Sequence, residues 1–312
     1  MEGVMMKNQE KYAVAVRKPD HEIEVKVSEY TGIIKNKKIR NMPILRGVFS
    51  FIESLVLGMQ TLTYSASFFE DEEVDEKKKE PMTEEERRRQ EQKEKKQENA
   101  MMGGTVVLSI VLAVAVFMML PYYLSTLFQK VITSQWVIAL LEGVIRLVIF
   151  IGYVALISLM KDIRRVYMYH GAEHKCINCI EHGMDLTVDN VRKSSRFHKR
   201  CGTSFLLIVM LVSILFFMFI RVDSPILRVV LRLLLIPVIA GVSYEFLSFA
   251  GKHDSKLVDI LSRPGMWMQG LTTKEPDDTM IEVAIAAVEA VFDWRAYLDE
   301  NFPGWEKKEE QA

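Results

Sequence analysis

Cysteine and net charge are both scarce in this sequence, and each scarcity excludes a class of protein. The 312 residues include three cysteines, too few for a disulfide scaffold, and an odd number leaves one unpaired. The net charge is −1, which excludes a globally basic nucleic-acid binder, so no nucleic-acid partner is expected. The mean hydropathy is nevertheless +0.09 although 26% of the residues are charged, so apolar and charged residues are segregated along the chain.

Charge is missing altogether from two long stretches. Residues 105–128 contain no charged residue over 24 positions, and residues 203–220 contain none over 18. At a helical rise of about 1.5 Å per residue, the longer stretch spans the roughly 30 Å hydrocarbon core of a bilayer. Two further apolar stretches, 131–160 and 226–250, are interrupted by a few charges. The pattern predicts a mainly α, polytopic membrane protein with about four transmembrane helices.

Basic residues are concentrated in one connection between these predicted spans. Residues 161–203 contain nine Lys or Arg, whereas the 129–135 and 221–225 connections contain one each. The positive-inside rule therefore places residues 161–203 in the cytoplasm, together with both termini. We expect a multi-pass protein whose first partner is the lipid bilayer.

Alternating apolar and polar residues near the N-terminus predict β-structure. They occur over 12–17 and 22–28, on either side of a turn that contains Pro19, and so predict a β-hairpin. Residues 32–40 are a further candidate. Residues 70–98 hold thirteen acidic and nine basic residues, as in a solvated linker or a single charged helix.

Near the C-terminus the sequence predicts a cytosolic helix. Thr279 and Glu282 form a capping box, and the apolar positions over 281–298 repeat at helical spacing. The patterns together divide the chain into a small cytosolic β module (1–42), an amphipathic or interfacial helix (43–69), a charged linker (70–99), transmembrane helices 1 and 2 (100–160), a cytoplasmic loop with a candidate metal site (161–203), transmembrane helices 3 and 4 (204–250), and a cytosolic C-terminal segment with an amphipathic helix (251–312).

All three cysteines and four of the six histidines fall between His170 and Cys201, a window of 32 residues. Chance would place the three cysteines there about once in a thousand, so the cluster indicates a site. It begins with HGAEH at 170–174, an H-x-x-E-H pattern. On a helix, His170 and His174 lie one turn apart on one face and can bind one zinc ion. Glu173 would be the catalytic residue, a base that accepts a proton from water at the metal.

His198 and Cys201 are the candidate partners of this histidine pair. They precede the third predicted span, whereas His170 and His174 follow the second, and antiparallel spans bring those ends to the same membrane face. Three imidazole nitrogens and one thiolate suit tetrahedral zinc, and a site using three of the four leaves a position for water. Glu181 is a further candidate ligand. The predicted cofactor is therefore zinc.

The cysteines also allow a different zinc arrangement. Cys176-x-x-Cys179 followed by His198-x-x-Cys201 resembles a structural zinc ribbon, which is a closed and non-catalytic site. The other interpretation of Cys176 and Cys179 is a pair of reduced cytosolic thiols.

Charged residues inside the predicted spans form one more group. Glu142 and Arg146 are one helical turn apart, and Arg228, Arg232 and Glu245 offer further partners. Such residues either mark a functional site or form an internal salt bridge, and the sequence leaves both open.

Five stretches of the chain resemble a known family: EGVMM (2–6), PILRGVFSFIESLVLGMQTLTYSA (43–66), YHGAEHKCIN (169–178), RFHKRCGTSFLLIVM (196–210) and PGMWMQGLTTKEPDDTMIEVAIAA (264–287). They are similar to the YqhQ-like family of bacterial inner-membrane proteins, sometimes described as metal-dependent enzymes. The resemblance implies an integral protein of the bacterial cytoplasmic (inner) membrane. Its matched site positions are His170, Glu173, His174, His198 and Cys201. It does not extend to Cys176 and Cys179.

Two functions of different classes follow from these observations. The first is a metal-dependent hydrolase at the cytoplasmic membrane face, with zinc held by the histidines and Cys201 and with Glu173 as the general base. The second is a non-enzymatic scaffold or assembly factor, for example in membrane-protein biogenesis. In that case a closed four-ligand metal site stabilises the loop, and a membrane or cytosolic protein is the partner.

The predicted topology is testable by cysteine labelling of intact cells. A cysteine introduced at Ser134 should react with a membrane-impermeant maleimide, and one introduced at Ser195 should react only after lysis, because the basic loop is inside. The opposite labelling pattern would reverse the orientation.

Overall fold

The computed structural model describes residues 2–30, 32, 42–74, 101, 103–199, 201–220, 222, 224–250, 256–303 and 305. Its strands are β1 (Gly3–Asn8), β2 (Lys11–Arg17) and β3 (Ile23–Glu29). Its helices are α1 (Leu45–Val74), α2 (Gly103–Thr126), α3 (Gln135–Ile157), α4 (Lys161–Glu181), α5 (Val188–Lys193), α6 (Gly202–Met218), α7 (Pro225–Ala250), α8 (Lys256–Thr272), α9 (Asp278–Glu289) and α10 (Trp294–Asn301). The protein is therefore mainly α, with a small N-terminal sheet.

The chain forms two compact units. Unit 1 comprises Met1–Phe69, Val154–Ser213 and Leu235–Ala312, and unit 2 comprises Glu70–Tyr153 and Ile214–Leu234.

The N-terminal sheet has three antiparallel strands in the order β1-β2-β3. The predicted hairpin is confirmed, since β2 pairs with β3 from Arg17 opposite Ile23 to Lys11 opposite Glu29. Sequence reasoning missed β1, whose alternating residues Val4 and Met6 are buried. The second candidate hairpin, over 32–40, and most of the charged linker lie outside the described residues.

Unit 1 has a core built from segments that are far apart in sequence. It joins Val4 and Met6 of β1 to the buried faces of α4 and α9, and Trp294 and Leu298 of α10 complete it. Burial of these apolar side chains is the main contribution to the stability of such a core. The core therefore needs the beginning, the middle and the end of the chain at once.

The predicted C-terminal helix differs from the observed one in its start and its continuity. Asp277, not Thr279, caps α9, and its side chain accepts a hydrogen bond from the Met280 amide at 3.0 Å. Glu282 forms an ion pair with Arg17 instead of closing a capping box. The helix ends at Glu289, and α10 starts afresh with Asp293 as its cap.

Within the described part of the chain, three helices are long and apolar enough to cross a membrane: α2, α3 and α7. The third predicted span, residues 203–220, corresponds to α6, which is apolar but has 17 residues. A straight crossing needs about 20 residues. In α2 the backbone widens into a π-helical turn over Ala115–Met119, just before Pro121.

A close approach of two backbones joins α7 to the start of α1 within unit 1. A Cβ atom at Gly241 would lie 2.6 Å from the carbonyl oxygen of Ile44, and one at Gly47 would lie 2.6 Å from the Cβ of Tyr244. Glycine at both positions permits this distance, as small residues do in membrane helix pairs. The ion pair between Arg46 and Glu245 lies beside it.

We expect Gly241→Ala to lower the free energy of unfolding of the purified protein in detergent by about 1–3 kcal/mol, because the added methyl group meets a backbone atom that cannot move aside. Gly152→Ala is the matched control, since a Cβ at this helical glycine meets nothing within 4 Å. Equal stability of the two variants would contradict the proposed close packing.

Candidate metal centre

Helix α4 carries the H-x-x-E-H pattern. The helix does not continue from α3, which ends at Ile157; it begins anew at Lys161 after the extended residue Met160. His170 and His174 are one turn apart on α4, and their ring centroids lie 4.4 Å apart. The helix thus presents both imidazoles to the same point.

Backbone carbonyls fix the orientation of both imidazole rings. His170 Nδ1 lies 2.9 Å from the carbonyl oxygen of Thr272, and His174 Nδ1 lies 2.7 Å from that of Arg196. A carbonyl only accepts hydrogen bonds, so each Nδ1 carries a proton and each Nε2 is the ring nitrogen left to face a ligand. This is the arrangement that prepares histidine for binding a metal through Nε2.

Cys201 completes a group of three ligand atoms. Its Sγ lies 3.3 Å from His170 Nε2, and the ligand atoms of His170, His174 and Cys201 all lie within 4.8 Å of one another. Ligand atoms around tetrahedral zinc are separated by about 3.3–3.6 Å, so the group needs only small movements to hold an ion. His174 and Cys201 are buried, which excludes most water.

The charges of this group are shifted toward a thiolate and an imidazolium. Burial alone would raise the pKa of Cys201, but hydrogen bonds from His170 and His174 lower it to about 5. Burial alone would lower the pKa of His170, but the bond to Cys201 and the charge of the thiolate raise it to about 9. A metal ion would take the place of the proton that these two side chains share.

Other side chains of α4 hold the chain that leads to Cys201. Lys175, which is 5% exposed, donates to the carbonyls of Arg192 and Ser194, and it forms an ion pair with Glu275 at 2.9 Å. Asn178 donates to the carbonyls of Ser195 and Phe197. Together with His174, these side chains bond every carbonyl of residues 194–197 to α4.

A buried glutamine of α8 holds the same chain from another direction. Gln269 accepts from the backbone N–H of His198 at 2.9 Å through Oε1 and donates to the His198 carbonyl at 2.8 Å through Nε2. Gly171 permits the close approach of the segment after α8, because a Cβ there would lie 2.1 Å from the Lys274 carbonyl oxygen. Thr272, the last residue of α8, supplies the carbonyl for His170.

Sequence reasoning missed these positioning residues: Gly171, Lys175, Asn178, Gln269 and Thr272. Asn178 lies four residues after His174 and three after Lys175, a spacing that could have indicated a shared face for Asn178 with each of them. No signal in the sequence connected Gln269 or Thr272 to this region.

His198, the predicted fourth ligand, has another partner. Its Nε2 lies 3.1 Å from Glu181 Oε2, and its ring centroid lies 5.9 Å from that of His174. Glu181, a further candidate ligand from sequence, is thus bonded to His198. The role of His198 as a ligand stays a prediction, and the compact group in the described residues consists of His170, His174 and Cys201.

Glu173 lies beside the group and is only partly exposed. Burial raises the pKa of its carboxyl group, although the nearby histidines His170 and His174 oppose that rise. Cys201 also acts on it electrostatically and raises the pKa further. The carboxyl group therefore lies within electrostatic range of the three ligand residues.

Cys176 and Cys179 face the apolar core of unit 1 instead of the metal group. Burial raises the pKa of the Cys176 thiol well above its usual value and that of Cys179 to about 11. Both are therefore thiols, not thiolates, and they are free of disulfides. This environment favours the reduced-thiol interpretation over the zinc ribbon.

The fold and the site together define a helical protein with candidate membrane-spanning helices and a buried His/His/Cys group. The chain belongs to a family described as "Protein of unknown function (DUF1385)", which matches residues 42–294. It is 33% identical over 302 residues to the Bacillus subtilis (strain 168) protein named "Uncharacterized protein YqhQ", covering 96% of this chain and 93% of that protein. The resemblance noted in the sequence is thereby confirmed. No solved structure matches the chain.

We expect Cys201→Ala to weaken zinc binding by more than about 100-fold, since even residues that only support a ligand cost 10–100-fold. His198→Ala should bind zinc as well as the control His182→Ala, which removes an exposed histidine outside the group. Zinc titration of the purified, metal-stripped variants measures this. Loss of binding in His198→Ala alone would make His198 a ligand.

Proposed function

We propose that this protein is a metal-dependent hydrolase of the bacterial cytoplasmic membrane, with zinc at His170, His174 and Cys201. The single observation that carries the proposal is the convergence of two oriented Nε2 atoms and one Sγ within 4.8 Å in a buried site. Three nitrogen and sulfur ligands are the usual number in catalytic zinc sites, whereas structural sites have four. Zinc bound there would act as a Lewis acid on a water or a substrate carbonyl in its open position.

In this proposal each residue around the ion has a distinct task. His170 and His174 bind through Nε2 while the carbonyls of Thr272 and Arg196 hold their rings. Glu173 would accept a proton from the attacking water and return it to the leaving group, and burial raises the pKa of its carboxyl group, which makes the carboxylate a stronger base. Burial of the site limits competing reactions with bulk water.

The proposed location follows from the distribution of basic residues. Residues 161–203 and both termini lie in the cytoplasm, so the site acts at the cytoplasmic membrane face. In this proposal the chain keeps the seven segments inferred from the sequence, and its transmembrane helices lie within residues 100–160 and 204–250. Substrates would reach the site from the cytoplasm or from the inner leaflet.

The alternative is a scaffold or assembly factor in which the metal is structural and a membrane or cytosolic protein is the partner. It requires a closed site, with His198 as the fourth ligand. The hydrogen bond between His198 and Glu181 supports the open site instead.

Cobalt substitution distinguishes the two functions without knowledge of a substrate. In an open three-ligand site, azide should change the visible spectrum of the cobalt-loaded protein, because it can occupy the fourth position. A closed four-ligand site would give a spectrum that azide leaves unchanged, and this result would contradict the hydrolase.

Glu173→Gln tests the general base. We expect zinc content and unfolding midpoint to stay at wild-type values while kcat falls by about 100-fold or more, because an amide cannot accept the proton. The assay screens chromogenic ester, phosphate and peptide substrates with the zinc-loaded protein. Glu181→Gln, which removes an acid outside the three-ligand group, is the matched control. Wild-type turnover by Glu173→Gln would exclude this role.

A further inference from the structure

Unit 2 contains a cavity that the proposed hydrolase does not use. It has a volume of about 390 Å³ and lies where α6 ends and α3 and α7 begin. This volume is in the range of small-molecule sites, about 300–1,000 Å³. The polar residues that line it are Gln129, Thr133, Gln135, Glu142, Arg228 and Arg232.

A buried carboxylate with two guanidinium groups forms one wall. Glu142 accepts from Arg146 Nη2 at 2.7 Å and from Arg232 Nη2 at 2.9 Å, and the three residues are 4%, 4% and 3% exposed, respectively. Arginine stays protonated in proteins, so one carboxylate leaves this trio with a net positive charge. Such a charge among apolar helices is costly unless an anion balances it.

Arg228 adds to the positive charge on the same cavity. Its guanidinium lies 4.5 Å from the ring centroid of Tyr122, and it donates to the Val222 carbonyl, so no acid is among its described hydrogen-bond partners. Glu142 is the one acid among the described residues that line the cavity.

The three arginines also have unused hydrogen-bond donors. Nη1 of Arg146, Nε of Arg228 and Nε of Arg232 are buried and have no hydrogen-bond partner among the described residues. Buried donors on charged groups are normally satisfied, and each exception needs an explanation. An anion in the cavity would supply the missing charge, and small side-chain shifts would bring to it the donors of Arg228 and Arg232, which line the cavity.

We propose that this cavity binds a phosphate-bearing anion. The planar fork of arginine matches phosphate oxygens, and the neutral side chains of Gln129, Thr133 and Gln135 suit the hydroxyl groups next to a headgroup phosphate. The site lies at the ends of candidate membrane-spanning helices, where lipid headgroups are found. The phosphate comes either from an anionic phospholipid or from solution, and the chemistry of recognition is the same.

Native mass spectrometry of the full-length protein in detergent tests the proposal with two lipids of identical acyl chains. Phosphatidylglycerol should bind about tenfold more tightly than phosphatidylcholine, as expected for charge-assisted hydrogen bonds to a net anion. Arg228→Gln should abolish this preference. Lys130→Gln removes an exposed charge from the same connection, outside the cavity lining, and should retain it.

Inorganic phosphate identifies the source of the anion. If phosphate displaces phosphatidylglycerol and raises the unfolding midpoint more than chloride at equal ionic strength, the site takes free phosphate. If phosphate does neither while the lipid preference holds, the site takes the headgroup. Equal binding of the two lipids together with no effect of phosphate overturns the proposal. An equal loss of the phosphatidylglycerol preference in Arg228→Gln and Lys130→Gln also overturns it.

A second variant covers the case in which Arg228→Gln does not fold. Ala139→Leu fills the cavity from α3 without removing a charge, and leucine is a good helix former. It should lower phosphatidylglycerol affinity by about tenfold while the unfolding midpoint shows a folded protein. Wild-type lipid binding by Ala139→Leu would contradict a ligand in this cavity.

Discussion

Buried backbone carbonyls need donors, and in unit 1 the donors for one irregular stretch come from the side chains of a single helix. Lys175, Asn178 and His174 of α4 bond to the carbonyls of residues 194–197, and Lys175 also reaches the carbonyl of Arg192. Without these bonds the buried Ser194 carbonyl would be left unpaired, at a cost of about 1–3 kcal/mol, and the half-buried and exposed carbonyls of residues 195–197 would lose their protein donors. The position of Cys201 depends on this stretch, which ends a few residues before it. The bond that holds the chain at Arg196 also fixes the ring of His174, so folding and ligand geometry depend on the same contact.

Much of the architecture could be predicted from the sequence because it rests on local patterns. Uncharged stretches, strand alternation and the i, i+4 spacing of His170 and His174 are properties of neighbouring residues, and each gave the correct element. The meeting of Cys201 with these histidines also followed, since helix ends on one face come together. The prediction failed to find β1, because its six residues were too short a pattern to interpret alone.

The remaining features depend on long-range packing, which local patterns do not contain. The bonds from Gln269 to His198 and from His170 to the Thr272 carbonyl join residues 71 and 102 positions apart. No periodicity relates such pairs. The same limit applies to His198, whose hydrogen bond to Glu181 joins residues 17 positions apart. The compact ligand group in the described residues contains His170, His174 and Cys201.

Two arginines of unit 2, Arg146 and Arg232, also make contacts that position them among the apolar helices. Pro121 has no N–H to donate, and the carbonyl four residues before it, that of Phe117, accepts from Arg146 Nε at 3.0 Å. Both Arg146 and Arg232 also lie within 5 Å of the ring centroid of Phe217, at 4.8 and 4.9 Å. These contacts hold the guanidinium groups in place among apolar helices but do not neutralise them. The internal salt bridge that the sequence left as one of two interpretations is therefore present, between Glu142 and Arg146. Because Glu142 also pairs with Arg232, one negative charge faces two positive charges.

The core of unit 1 also sets the order in which the protein can be made. Strand β1 leaves the ribosome before the other parts of this core, α4 follows more than 150 residues later, and α9 comes after a further hundred or so. The carbonyl that orients His170 belongs to Thr272, so the ligand group cannot be completed during the synthesis of the apolar helices that precede it. Strand β1 must meanwhile wait with an apolar face uncovered while the apolar helices are synthesised. The ligand group is thus completed late, and a chain that stopped before residue 272 would contain every ligand residue but lack the carbonyl that orients His170.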